Sequence, residues 1–150
     1  MIIDLINKDK MDYKLMFAGN EKKIIWDMLS EKEISLNDKI YQDLNEEIDL
    51  NKWGAKYSKL YKNWLENDDE TIYDINSAIN SEAINALKNY NKKSKNKIYY
   101  WFDVNRDSNP DYQWKRCPLT NRPLVLVSKE YHNNNRLISE DAPLVFPYKG

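Results

Sequence analysis

The chemistry open to this chain turns on one cysteine, one histidine and a few clusters of charge. Cys117 sits in the run Arg116-Cys117-Pro118-Leu119-Thr120-Asn121-Arg122. Flanking arginines favour the thiolate, which is the nucleophilic form. A loop that holds an anion against such a thiolate needs amides able to converge, and this run contains no glycine. A buried structural cysteine is the expected reading. His132, with Lys129, Tyr131 and Arg136, supplies the proton-transfer and phosphate-stabilising types that a small hydrolase or nuclease uses. A hairpin stretch does not oblige these side chains to converge, and a histidine beside Asn133, Asn134 and Asn135 is expected to be solvated.

Glu70 and Asp74 stand four residues apart behind Asp68 and Asp69, a carboxylate group that one helical face could offer to a hard cation. The same acids complement the positive end of a helix dipole, which is the expected reading. One cysteine and one histidine cannot build an ordinary structural zinc site within the chain. Gly19, Gly54 and Gly150 lie far apart, whereas phosphate-cradling loops need glycines close together, so P-loop and dinucleotide-binding functions are strongly disfavoured. No cofactor and no metal are expected.

Two kinds of charged surface remain. Lys88, Lys92, Lys93, Lys95 and Lys97 form the densest basic run, flanked by Tyr90, Tyr99, Tyr100 and Trp101. Cations on phosphate and rings on bases are how single-stranded nucleic acid is gripped. The blander expectation is a solvated linker between the last turn of a helix and a strand whose rings are core, and likewise a Trp53, Tyr57, Tyr61 and Trp64 ridge that is core rather than a recognition surface. Acids gather at Asp43, Glu46 and Glu47 and again at Asp68, Asp69 and Glu70, and these are the candidate partner-binding residues for a basic protein.

Composition sets the frame for these groups. Lys+Arg 23 against Asp+Glu 24 gives a net charge of -1, so no global field draws the chain to nucleic acid or an anionic membrane. With 41% apolar and 13% aromatic residues, 150 residues suffice for one globular domain, residues 1–150, burying roughly two-thirds of its unfolded surface. A lone cysteine excludes an internal disulfide, no apolar run approaches the ~20 residues of a membrane span, and Asp4, Lys8, Asp9 and Lys10 interrupt the N-terminal apolar residues. A cytoplasmic location without a membrane partner is the expectation.

The elements that must position the candidate residues follow from periodicity. Ile98, Tyr100, Phe102 and Val104 alternate with Tyr99, Trp101 and Asp103 as in a strand with two unlike faces, and the unbroken run Leu124, Val125, Leu126, Val127 suits a strand covered on both sides. Residues 2–6 and 13–18 are candidate outer strands. Asn20 suits the N-cap of a first helix carrying Ile24, Ile25, Met28 and Leu29 inward, and Ser35 with Asp38 a capping box for a second with Ile40, Tyr41, Leu44 and Ile48. A third helix carries Trp53, Tyr57, Leu60, Tyr61 and Trp64. A fourth, opening near residues 67–70, carries Ile72, Ile75, Ile79, Ala83, Ala86, Leu87 and Tyr90. Pro123 and Pro143 mark strand starts, and Leu124 to Tyr131 with Arg136 to Ser139 forms a hairpin. Helices first and strands afterwards predict an α+β domain: about four helices in the N-terminal two-thirds, packed on a small, mainly antiparallel sheet formed by the C-terminal third.

By size, by its lack of cofactor motifs and by its Asn, Lys and Ile content, the chain resembles in general type the small cytoplasmic immunity proteins that bacteria pair with secreted toxins. The resemblance is of type and covers no particular stretch. It implies a non-enzymatic protein-binding module that neutralises a toxin by direct binding, with Asp43, Glu46, Glu47, Asp68, Asp69 and Glu70 facing a basic nuclease. Two other readings stand beside it: a nucleic-acid-associated protein using the stretch from Lys88 to Lys97, and a small hydrolase or nuclease using His132 and Cys117.

Overall fold

Ile98 and Tyr100 turn into a helical layer while Tyr99 and Trp101 face the other way, so β5 (Ile98–Trp101) has the two unlike faces its alternation predicts. A computed structural model describes residues 2–4, 12–103, 111–128, 136–139 and 141–148. Val104, the end of the predicted strand, lies outside them. The other strands are β1 (Ile2–Asp4), β2 (Tyr13–Leu15), β3 (Ile25–Asp27), β4 (Lys32–Glu33), β6 (Val125–Ser128), β7 (Arg136–Ile138) and β8 (Leu144–Pro147). They form one sheet in the order β1-β6-β7-β8-β5-β2-β3-β4.

Its middle is parallel. β5 pairs in parallel with β2, setting Tyr13 beside Ile98, and with β8, setting Tyr100 beside Leu144. Outward from there the pairs β2–β3, β3–β4, β7–β8 and β6–β7 are antiparallel, and β1 closes the far edge in parallel with β6. Parallel neighbours require a crossover, and the connection from β2 to β5 carries every described helix: α1 (Lys39–Asn45), α2 (Leu50–Asn67), a 3-10 turn at Thr71–Tyr73, and α3 (Ala78–Lys93). These helices bury Tyr13, Leu15, Ile98, Tyr100, Leu144 and Phe146 on one face of the sheet. The opposite face buries Val125, Val127, Ile138 and Val145 together with Lys14 and Arg136, both ion-paired to Glu31.

The domain is α+β, but the expected layout is corrected. Among the described residues there are three α-helices, not four, and the sheet is larger, mixed rather than mainly antiparallel, and drawn from both ends of the chain rather than its C-terminal third. The difference arises at residues 24–29. Ile24, Ile25, Met28 and Leu29 fit a helical period, yet Ile25–Asp27 pairs with β2 and β4, and the Tyr41 hydroxyl accepts from the Ile24 and Ile25 amides at 3.2 and 3.1 Å. Asp27 then accepts from the Leu29 and Ser30 amides and turns the chain. Residues 13–15 therefore lie inside the sheet, not at its rim.

Helix ends moved for similar local reasons. Asp38, not Ser35, caps α1 by accepting from the Ile40 amide at 3.0 Å. α3 begins after Ser77, because Asp69 accepts from the amide and hydroxyl of Thr71 and holds the preceding segment as a separate turn. Fully buried Asn80 fastens that segment, its Nδ2 donating to the carbonyls of Ile72 and Asp74 at 3.0 and 2.7 Å. No described helix is long and apolar enough to cross a membrane.

Candidate functional site

Along α2 the aromatic residues recur every three or four positions, but their burial falls off. Trp53 is fully buried, donates from Nε1 to the Ile79 carbonyl at 2.9 Å and meets Tyr100 edge-on at 6.1 Å. Tyr57, Tyr61 and Trp64 are only half-buried, and Leu65 beside them is 59% exposed. The expectation that this ridge is core therefore holds for Trp53 and for Tyr57, which packs against the core, but not for Tyr61 and Trp64.

Two further rings join this half-buried row. Phe17, just past β2, lies 5.0 Å from Tyr57 and 5.6 Å from Tyr61. Tyr61 meets Trp64 at 5.7 Å, and Tyr73 in the 3-10 turn meets Trp64 edge-on at 5.1 Å. Together with Ile72, Trp101 at the end of β5, and Phe102 and Asp103 just beyond it, Phe17, Tyr57, Tyr61 and Tyr73 line a cavity of about 120 Å³. Burial pushes up the phenols of Tyr57 and Tyr73, and the Asp103 carboxylate adds to the shift at Tyr73. Sequence reading missed Phe17, Tyr73 and Asp103 as members of this group, because three separate segments bring them together.

Three of the candidate acids border the row. Asp68 ends α2 in the left-handed conformation (φ 56) and is exposed, as is Glu70. Asp69 is held by Thr71 and by Asn63 Nδ2 at 2.6 Å, and the Thr71 hydroxyl and amide keep its carboxyl below the usual range. Asp43, Glu46 and Glu47 lie elsewhere: Glu47 pairs with Lys93 in the last turn of α3 at 2.6 Å, whereas Asp74 sits against Asn80 at its start. Glu46 and Glu47 stand just before Asp49, the N-cap of α2, and Asp68 is its C-cap, so the 18 residues of α2 separate the two acidic groups by about 27 Å. Among the described residues no group of three or more acidic, His or Cys side chains is placed to hold a metal ion.

The remaining candidates are dispersed. Cys117, 2% exposed, lies in a tight loop where its amide donates to the Arg122 carbonyl and its carbonyl accepts from the Asn121 amide, each at 2.8 Å. Burial pushes its thiol up, but hydrogen bonds from Ser139, Thr120 and the Leu119 and Thr120 amides outweigh it and leave the pKa below its ordinary value. It forms part of the wall of a cleft of about 740 Å³ with Tyr73, Asp74, Phe102, Trp114 and Arg116. His132, Lys129 and Tyr131 lie outside the described residues; Arg136 is buried and bonded to Glu31. Of the basic run, Lys88, Lys92 and Lys97 line a groove of about 670 Å³ with Tyr99 and Asp141. Lys93 is turned to Glu47, and Tyr90 and Tyr100 are core.

Comparison with known proteins found no matching family model, no matching curated protein and no matching solved structure.

Proposed function

We propose that this protein is a non-enzymatic protein-binding module of the immunity type, which neutralises a basic toxin domain by covering it. One observation carries the reading: the half-buried row Phe17, Tyr57, Tyr61, Trp64 and Tyr73 is continuous, flanked by exposed Leu65, and bordered by Asp68, Asp69 and Glu70. Large rings that keep part of their surface in water are the side chains that dominate protein interfaces when a partner desolvates them. Acids at the rim add attraction and speed of encounter for a basic partner more than they add final affinity.

The test is a titration of the purified protein with the product of the gene directly preceding its own. A one-to-one complex that blocks the toxin, weakened at least tenfold by Tyr61→Ala or Trp64→Ala and unchanged by His132→Ala, is the expected result. No complex, or one unaffected by both ring truncations, sinks the reading.

A second reading is favoured by the groove of Lys88, Lys92, Lys97 and Tyr99, which combines cations with a ring as a single-stranded nucleic acid site does. Its mark is binding that falls steeply with added salt, since each neutralised phosphate releases counterions. Recovery from the native host of RNA alone, released by salt, would put this reading first.

A further inference from the structure

We infer that the cavity among Phe17, Tyr57, Tyr61, Tyr73, Trp101 and Asp103 is a receptor for one organic cation, the guanidinium or alkylammonium tip of an arginine or lysine side chain presented by a protein partner. At about 120 Å³ it offers space worth about four waters, enough for one such group and too little for a nucleobase with its sugar. Its walls are mostly ring. A ring face carries the negative part of the aromatic quadrupole, so several rings around one small space attract a cation, the more strongly as they shield it from water. Lys14 Nζ and Arg136 Cζ already lie 4.5 and 5.4 Å from the Trp101 ring centroid, so this indole is itself engaged with cations and the platform for an incoming one is Phe17, Tyr57, Tyr61 and Tyr73.

A neutral apolar group would fill the same space, and the acids decide against it. Asp103 is exposed and forms part of the cavity wall, and Asp68, Asp69 and Glu70 continue the negative charge past Trp64 and Tyr73. The Asp103 carboxylate in the wall stabilises a cation and does nothing for an alkyl group, and the acids along the row add to the attraction only at longer range. The source of the cation rests on the protein-binding reading above, because a side chain enters such a cage only when a partner docks on the row of rings; the chemistry of the cage does not depend on it.

The experiment uses the full chain and free probes, followed by nuclear magnetic resonance shifts of the tryptophan indole signals: acetyl-arginine methylamide, acetyl-trimethyllysine methylamide, tetramethylammonium, and the neutral acetyl-norleucine methylamide. Saturable millimolar binding of the two charged amino-acid amides, at least tenfold weaker binding of the norleucine amide, and a fivefold or greater loss in both Asp103→Asn and Tyr73→Leu are expected. Tyr61→Leu is the second ring variant, and an unfolding curve for each variant separates loss of the cage from loss of the fold. Equal binding of the neutral amide, or no saturable shift with any cation, overturns the proposal. Tetramethylammonium binding where both amino-acid amides fail overturns the side-chain source in favour of a small quaternary ammonium ligand. A toxin complex of unchanged affinity in Asp103→Asn and Tyr73→Leu also overturns it, whereas cation binding in a protein that forms no toxin complex upholds the cage and counts against the functional reading alone.

Discussion

The Tyr100 hydroxyl donates to Asn80 Oδ1 at 2.5 Å in the buried layer between sheet and helices. Asn80 in turn donates to the Ile72 and Asp74 carbonyls and to Ser77 Oγ, so one amide ties β5 to α3 and to the segment that carries Tyr73. Each partner is necessary to the others, because a buried polar group left without one keeps its full desolvation cost. Asn80→Ala is expected to destabilise the fold by about 3 kcal/mol and Tyr100→Phe by about 1–2 kcal/mol, with the double variant costing less than the sum. Urea unfolding of the four proteins checks this. An additive cycle would mean the two side chains act separately.

Gly54 allows the closest approach in the helical layer. A Cβ there would stand 2.2 Å from the Glu21 carbonyl oxygen, which is backbone and cannot swing aside. In an unencumbered helix interior, replacing glycine by alanine gains about 1 kcal/mol. Here Gly54→Ala is expected to lose stability, by about 2 kcal/mol or more, since α2 must retreat from the segment leading into β3. A raised melting temperature in this variant would show that the contact relaxes without cost.

How far the sequence discloses all this differs from one residue to the next. The alternation at Ile98, Tyr99, Tyr100 and Trp101 and the period at Ile79, Ala83, Ala86, Leu87 and Tyr90 were legible because each element is long enough, or buried evenly enough, to show a single period. Ile24, Ile25 and Met28 misled because they are buried on both faces of a three-residue strand and the turn beyond it, and a short doubly buried strand has no period of its own. The acids Asp68, Asp69 and Glu70 were legible as a charged cluster. Phe17, Tyr73 and Asp103 were not legible as their neighbours, since only the parallel crossover from β2 to β5 brings three distant segments to one end of the sheet.

Six tyrosines make stability sensitive to alkali. Burial raises the phenols of Tyr13, Tyr41, Tyr57, Tyr73, Tyr99 and Tyr100 above their ordinary 10.0, Tyr99 to about 12. A phenol raised by folding contributes stability that is whole below pH 10 and is lost as pH rises toward its folded value, because the unfolded chain releases the proton first. Lys14 acts in the opposite sense: burial lowers it from 10.5, so its charging penalty fades as pH rises, but it is one group against six. The unfolding free energy from urea titrations is expected to fall between about pH 9 and about pH 11, by about 1.4 kcal/mol per pH unit for each phenol ionised only when unfolded. A flat profile would mean that these rings are solvated.

Cys117 offers a test of structural against chemical use. Against the effect of burial, polar groups of Ser139 and Thr120 and the Leu119 and Thr120 amides favour its thiolate and hold the pKa below its ordinary value. Cys117→Ala removes the sulfur as an acceptor and is expected to cost about 1–3 kcal/mol, whereas Cys117→Ser, which keeps an acceptor, is expected to cost less. Thermal unfolding ranks the two. On the proposed protein-binding function, partner binding should be the same in both; a hydrolytic activity abolished by either would instead place the chemistry at this thiol.

The two acidic groups at opposite ends of α2 cannot both sit at the centre of one standard interface around the aromatic row. Asp68 and Glu70 adjoin the Trp64–Tyr73 pair, while Glu47 is neutralised by Lys93 at the other end of α2, about 27 Å away. Rim charges act mainly on the rate of encounter and its salt dependence. Asp68→Lys with Glu70→Lys is therefore expected to slow association with a basic partner by about tenfold at low salt and to flatten the salt dependence, with little change in dissociation. Asp43→Lys with Glu46→Lys should move the same rate by less than about threefold, because a charge more than two Debye lengths from the contact is largely screened at physiological ionic strength. Stopped-flow association of both double variants decides between the ends of the helix: a larger effect from Asp43 and Glu46 would transfer the binding face to α1 and away from the rings.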